Sequence, residues 1–124
     1  MFKASGFRSW NLNARDLEEM VGFYCKVLGA QEGQRQAIGG AAVARLRLGE
    51  QGIGLFDASG GERPGVPHHT FNGTGPADPD ELVKELEASG VKVDGVRREG
   101  ESGRYSVYVY DPSGNRLELS VTPA

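Results

Sequence analysis

Two periodicities alternate along the chain. From Phe7 to Asn13, Trp10 and Leu12 fall on one face and Ser9, Asn11 and Asn13 on the other, which predicts a half-buried strand with Trp10 in a helix-packed core and a polar second face. Asp16 then offers an N-cap with Glu19 three residues on, and Leu17, Met20, Val21, Tyr24, Val27 and Leu28 recur at helical spacing before Gly29, so a helix is predicted there. The stretch from Gln31 to Gly40 is loose, with room for one extra strand. Ala42 to Leu48 and Gly52 to Phe56 alternate around Gly49-Glu50-Gln51-Gly52, the signature of a hairpin.

Gly60 to Gly65 is too rich in glycine and proline to pack as an element and marks a boundary, after which the pattern restarts. His68 to Gly73 reads as a short strand, and Asp78-Pro79-Asp80-Glu81 opens a helix whose stripe is Leu82, Val83 and Leu86, before Gly90. Val91 to Val93 opens a strand, Arg97 to Gly103 reads as a charged loop, and Tyr105 to Tyr110 and Arg116 to Val121 are strands joined by the Asp111 to Asn115 turn. In the last strand Leu117, Leu119 and Val121 share one face while Arg116, Glu118 and Ser120 share the other. That polar set has no core to fill and needs water, a ligand or a partner charge.

The two halves repeat one order of elements, and neither could bury a sheet face alone. The expected fold is therefore α+β, a single domain over residues 1–124 made of two tandem βαβββ units, residues 1–60 and 66–124, forming a mixed sheet around a shared cleft. Helices on one face of each unit leave the polar faces to line that cleft, where Ser9, Asn11, Tyr108 and Glu118 are expected to converge.

Composition narrows the partner. Fourteen basic against seventeen acidic residues, with no basic cluster, leave neither the footprint of a nucleic-acid binder nor that of an anionic-membrane binder, so a small molecule is expected. The single cysteine, Cys25, reads as a small helix residue and suits a reducing compartment. No apolar run has the length of a signal peptide or membrane span, and a soluble, cytoplasmic protein is the expectation. No catalytic triad, phosphate-cradling loop or cysteine nucleophile is visible.

Arg15-Asp16-Leu17, Phe23-Tyr24, Val27-Leu28-Gly29, His68-His69-Thr70-Phe71, Asp111-Pro112-Ser113-Gly114-Asn115 and Leu117-Glu118-Leu119 together resemble the vicinal oxygen chelate superfamily. That superfamily includes glyoxalase I, fosfomycin and bleomycin resistance proteins and extradiol dioxygenases. The resemblance spans almost the whole chain and implies a glyoxalase-like fold and a homodimer. In members that hold a metal, up to four ligands come from the first and last strands of each unit. Carried over, these positions are Glu118, His68 (or His69 in a shifted register), Ser9 and Gly54, with Asp57 as a conceivable rescue. Glu118 and His68 are thus the implied metal ligands and Glu118 the candidate catalytic residue, whereas Ser9 is a poor neutral ligand and Gly54 has no side chain.

Two readings follow. The resemblance to bleomycin-type resistance members implies a small-molecule binding protein with a degraded metal site, in which Ser9, Asn11, Arg45, Ser106 and Tyr108 contact the ligand. The resemblance to glyoxalase I or fosfomycin-type enzymes implies one divalent metal ion and a lyase, transferase or dioxygenase reaction on an oxygen-rich substrate. For Glu118 an ordinary ion pair is equally expected, with Arg116, Arg45 or Arg104 as partner.

Overall fold

A computed structural model describes residues 1–63 and 65–124; Pro64, part of the Gly60 to Gly65 boundary run, lies outside the described residues. Its elements are β1 (Lys3–Ala14), α1 (Leu17–Leu28), β2 (Gln31–Ile38), β3 (Ala41–Leu48), β4 (Gln51–Asp57), β5 (His68–Gly75), α2 (Pro79–Ala88), β6 (Lys92–Arg98), β7 (Tyr105–Tyr110) and β8 (Arg116–Pro123). This is the expected α+β composition of two βαβββ repeats. Among the described residues, no helix is long and apolar enough to cross a membrane. The chain divides into two compact units, Arg8–His68 and Met1–Phe7 with His69–Ala124, so β1 contributes to both.

In the Arg8–His68 unit the strand order is β2-β3-β4-β1. β1 runs parallel to β4, with Asn11 opposite Gly54, and β3 runs antiparallel to β4, with Arg45 opposite the same Gly54. Helix α1 begins where the Asp16 carboxylate accepts the Glu19 N–H and ends at Gly29, whose φ of 73° is left-handed. Its buried stripe is narrower than the pattern predicts: Leu17 and Val21 are buried and Met20, Tyr24 and Cys25 pack against the same core. Val27 and Leu28, in the last turn, are exposed. Trp10 is a further correction, since 45% of it is exposed: the core under α1 takes Ala14 and Leu12 from β1 and stops there. The loose stretch after the helix is β2, an edge strand whose eight residues are all exposed. A two-pronged contact ties it to the helix, Arg35 donating to both Glu18 oxygens at 2.7 and 2.8 Å and from Nε to Glu32 at 2.9 Å.

The second unit has the order β5-β8-β7-β6. β5 runs parallel to β8, with Thr70 opposite Glu118, and β7 runs antiparallel to β8, with Tyr108 opposite Glu118. Helix α2 is capped by Asp78, whose carboxylate accepts the Asp80 N–H, with Pro79 in the first turn. Leu82 and Leu86 bury against Tyr105, Val107, Val109, Leu119 and Val121, and Phe2 packs against the same cluster. The N-terminal segment reaches the sheet of this unit at Gly73, where an added Cβ would land on the Lys3 carbonyl and the Phe2 ring. β6 runs on through Arg97 and Arg98, residues that read as loop in the sequence, and these pair with Ser106 and Tyr105.

Candidate functional site

Each unit carries a polar row across its sheet. In the Arg8–His68 unit the row is Asn11, Gly54 and Arg45. Arg45 Nη1 donates to Asn11 Oδ1 at 3.2 Å, and Arg45 Nε donates to Gln36 Oε1 at 2.9 Å. A guanidinium can only donate, so Asn11 Oδ1 is the acceptor and Nδ2 is left to donate to His68 Nε2 at 3.1 Å. His68 therefore accepts at Nε2 and carries its hydrogen on Nδ1, which donates to the Gly65 carbonyl at 3.0 Å. The glycine at position 54 makes this arrangement possible, because a Cβ there would fall on Asn11 Oδ1 and Arg45 Nη1. Space that a ligating side chain would need is filled by the Arg45–Asn11 hydrogen bond.

In the other unit the row is Thr70, Glu118 and Tyr108. Glu118 is buried, and Oε1 accepts from Thr70 Oγ1 at 3.0 Å while Oε2 accepts from Ser106 Oγ at 2.8 Å. Arg97 is a cationic partner, with Nη2 at 3.4 Å from Glu118 Oε2 and at 3.7 Å from Glu99. Arg97 is not among the partners expected from the sequence. Arg116 pairs with Asp94 at 3.1 Å and lies over the Tyr108 ring at 4.2 Å, and Arg45 belongs to the first unit. Arg104 has no ion-pair partner among the described residues, and its Nε is enclosed without a hydrogen bond.

Tyr108 joins these groups. Its hydroxyl accepts from Arg97 Nε at 3.3 Å. Burial, reinforced by the Glu118 charge, raises its pKa above the ordinary phenol value, so the ring stays neutral through the physiological range. The same hydrogen bond, with support from Glu118, raises the Arg97 pKa in turn.

Several sequence-predicted residues come together and others do not. Ser106, Tyr108 and Glu118 form one cluster, and Asn11, Arg45 and His68 form another. Ser9 is half-buried and stands opposite Gly52, two register steps away from the Asn11–Gly54 pair. His69 is exposed and meets Phe7 edge to face at 5.8 Å. Thr70 and Arg97 were not singled out from sequence, yet both contact the Glu118 carboxylate.

The implied metal can be tested against these donors. Among the described residues no group of three or more His, Cys, Asp or Glu side chains is placed to hold an ion. The His68 Nε2 lone pair is taken by an amide, and Glu118 is taken by two hydroxyls and a guanidinium. Two occupied donors, one beside a fixed positive charge, do not fit a divalent cation.

Residues 6–119 match the family model of the Glyoxalase/Bleomycin resistance protein/Dioxygenase superfamily. The chain belongs to that superfamily. Its fold is shared with proteins of known structure. Methylmalonyl-CoA epimerase from Mycobacterium tuberculosis superposes with a TM-score of 0.72 at 18% identity, covering 98% of this chain and 89% of the epimerase. A Streptomyces coelicolor methylmalonyl-CoA epimerase, in complex with 2-nitronate-propionyl-CoA, gives 0.71 at 20% identity, covering 98% of this chain and 100% of the other. The 2,2',3-trihydroxybiphenyl 1,2-dioxygenase of Sphingomonas wittichii gives 0.68 at 20% identity over 94% of this chain and 42% of the dioxygenase. No curated protein matches the sequence.

Proposed function

We propose that this superfamily member is a small-molecule binding protein that takes up its ligand without a metal ion. The observation that carries this reading is the state of Glu118: the carboxylate best placed to ligate a metal accepts hydrogen bonds from Thr70 and Ser106 and pairs with Arg97. A carboxylate so occupied would have to share or give up contacts to bind an ion, and each hydrogen bond to a charged group contributes about 1.5–3 kcal/mol. Ser9, Arg45 and Tyr108 retain exposure and are the proposed ligand contacts within their own units. Asn11 and Ser106, 2% and 0% exposed, serve as positioning residues for Arg45 and Glu118.

Elemental analysis of protein purified without added metal, followed by titration with manganese, iron, nickel and zinc, tests this directly. The expected result is no stoichiometric metal, together with ligand-induced thermal shifts from a small-molecule library that persist in chelator. Stoichiometric binding that disappears in Glu118→Gln would replace this reading with a metal-dependent one.

A further inference from the structure

The cation beside Glu118 says what kind of ligand this row accepts. Arg97 arises from β6, an edge strand, and its side chain is 56% exposed while that of Glu118 is 9% exposed. Of its donors, Nε is held by the Tyr108 hydroxyl and Nη2 by Glu118 and, more distantly, Glu99. Nη1 has no partner among the described residues. The guanidinium is thus fixed from one side and open on the other.

Charge on the same sheet is unevenly matched. Arg97 is balanced by Glu118 and Arg116 by Asp94, but Arg104, with its enclosed Nε, is unbalanced. Arg104 lies close to Arg97 in the ladder, since its carbonyl accepts the Glu99 N–H at 3.0 Å just beyond the Arg97–Ser106 pair. A partly enclosed guanidinium without an acceptor is costly and is relieved by an anionic oxygen.

We propose that Arg97, with Arg104 beside it, is the resident cation of this row and the group that receives an anionic ligand, a carboxylate or a phosphate, so that charge selectivity here comes from the chain itself. This rests on the metal-independent binding reading and adds the ligand class to it. Glu118 then acts as a positioning residue that, with Tyr108, holds the guanidinium in one orientation so that Nη1 faces outward. Tyr108 and Tyr110 supply aromatic surface, their rings already engaging Arg116 and Lys92.

Matched probes test it: benzoate against benzamide, and phenyl phosphate against phenol, each titrated by ligand-observed NMR in chelator. Benzoate, phenyl phosphate or both are expected to bind at least tenfold more tightly than their neutral counterparts, and which pair shows the preference tells carboxylate from phosphate. R97Q is expected to erase that preference, and R104Q to weaken it. Because R97Q strands a buried carboxylate, R97Q/E118Q is measured alongside, and thermal melting establishes that each variant is folded. Equal binding of neutral and anionic probes, or a preference that survives in R97Q/E118Q, overturns the inference and leaves the binding reading standing. A preference that appears only when manganese is added assigns the cation to a metal and overturns both. If none of the four probes binds the folded wild-type protein, the binding reading fails and this inference fails with it.

Discussion

At the scale of single residues, the two rows differ in how they tolerate change. Glu118 depends on neutral donors that cannot be replaced by water in a buried setting. Thr70→Val is therefore expected to destabilise the protein by about 1.5–3 kcal/mol, the usual contribution of a hydrogen bond to a charged group, and urea denaturation measures it. The glycines separate in the same way. A Cβ at position 54 meets the movable ends of Asn11 and Arg45, whereas one at position 73 meets the Lys3 backbone carbonyl. Gly73→Ala is expected to cost more than Gly54→Ala, with overpacking of this kind costing about 1–3 kcal/mol. Equal midpoints in urea for the two variants would contradict that ordering.

Elements were legible where their chemistry is local. The Asp16–Glu19 cap, the Gly29 stop, the Asp78-Pro79 start and the Gly49 turn are each written within a few residues, and each is present. What was less legible had no local period to read. β2, expected only as room for one extra strand, is exposed along its whole length, so nothing in it alternates to fix its bounds. β6 carries a register shift between Val93 and Gly95, which breaks the alternation before Arg97 and made a strand look like a charged loop. No local pattern marks Thr70 beside two histidines, because its importance comes from β8, a strand distant in sequence. The same holds for Arg97, whose contact with Glu118 depends on the pairing of β6 with β7 and of β7 with β8. An element-scale prediction follows from the first cap: Asp16→Ala removes the acceptor of the Glu19 N–H and is expected to lower stability by about 1 kcal/mol, seen as a lower thermal midpoint.

For the whole molecule, the pH profile should be set by groups at both ends of the scale. The side-chain and backbone N–H groups of Asn115 hold the Asp111 carboxylate below its ordinary value, the Ser59 N–H does so for Asp57, and Arg35 does so for Glu18. Carboxylates with a depressed folded pKa stabilise the fold above their unfolded value and lose that contribution as pH falls through the folded value. Tyr105 and Tyr108 are displaced upward, chiefly by burial. Their contribution is complete below the unfolded phenol value, about 10, and is lost as pH rises through the folded one. A urea midpoint measured from pH 2 to 12 is therefore expected to plateau in between, falling below about pH 4 and again above about pH 10. Tyr108→Phe is expected to shrink the alkaline decline, and an unchanged decline would remove Tyr108 as a cause.

The division of β1 between the two units bears on synthesis. Met1–Phe7 leave the ribosome long before His69 and the strands after it, yet belong to the unit those strands build. Arg8–His68 has its own core, and all of its residues are made before the later strands. The leading segment must wait until those strands have been made. A pause that favours its capture by another chain in the meantime would produce misassembled pairs, so expression yield should respond to translation speed more strongly than the small size of this chain suggests.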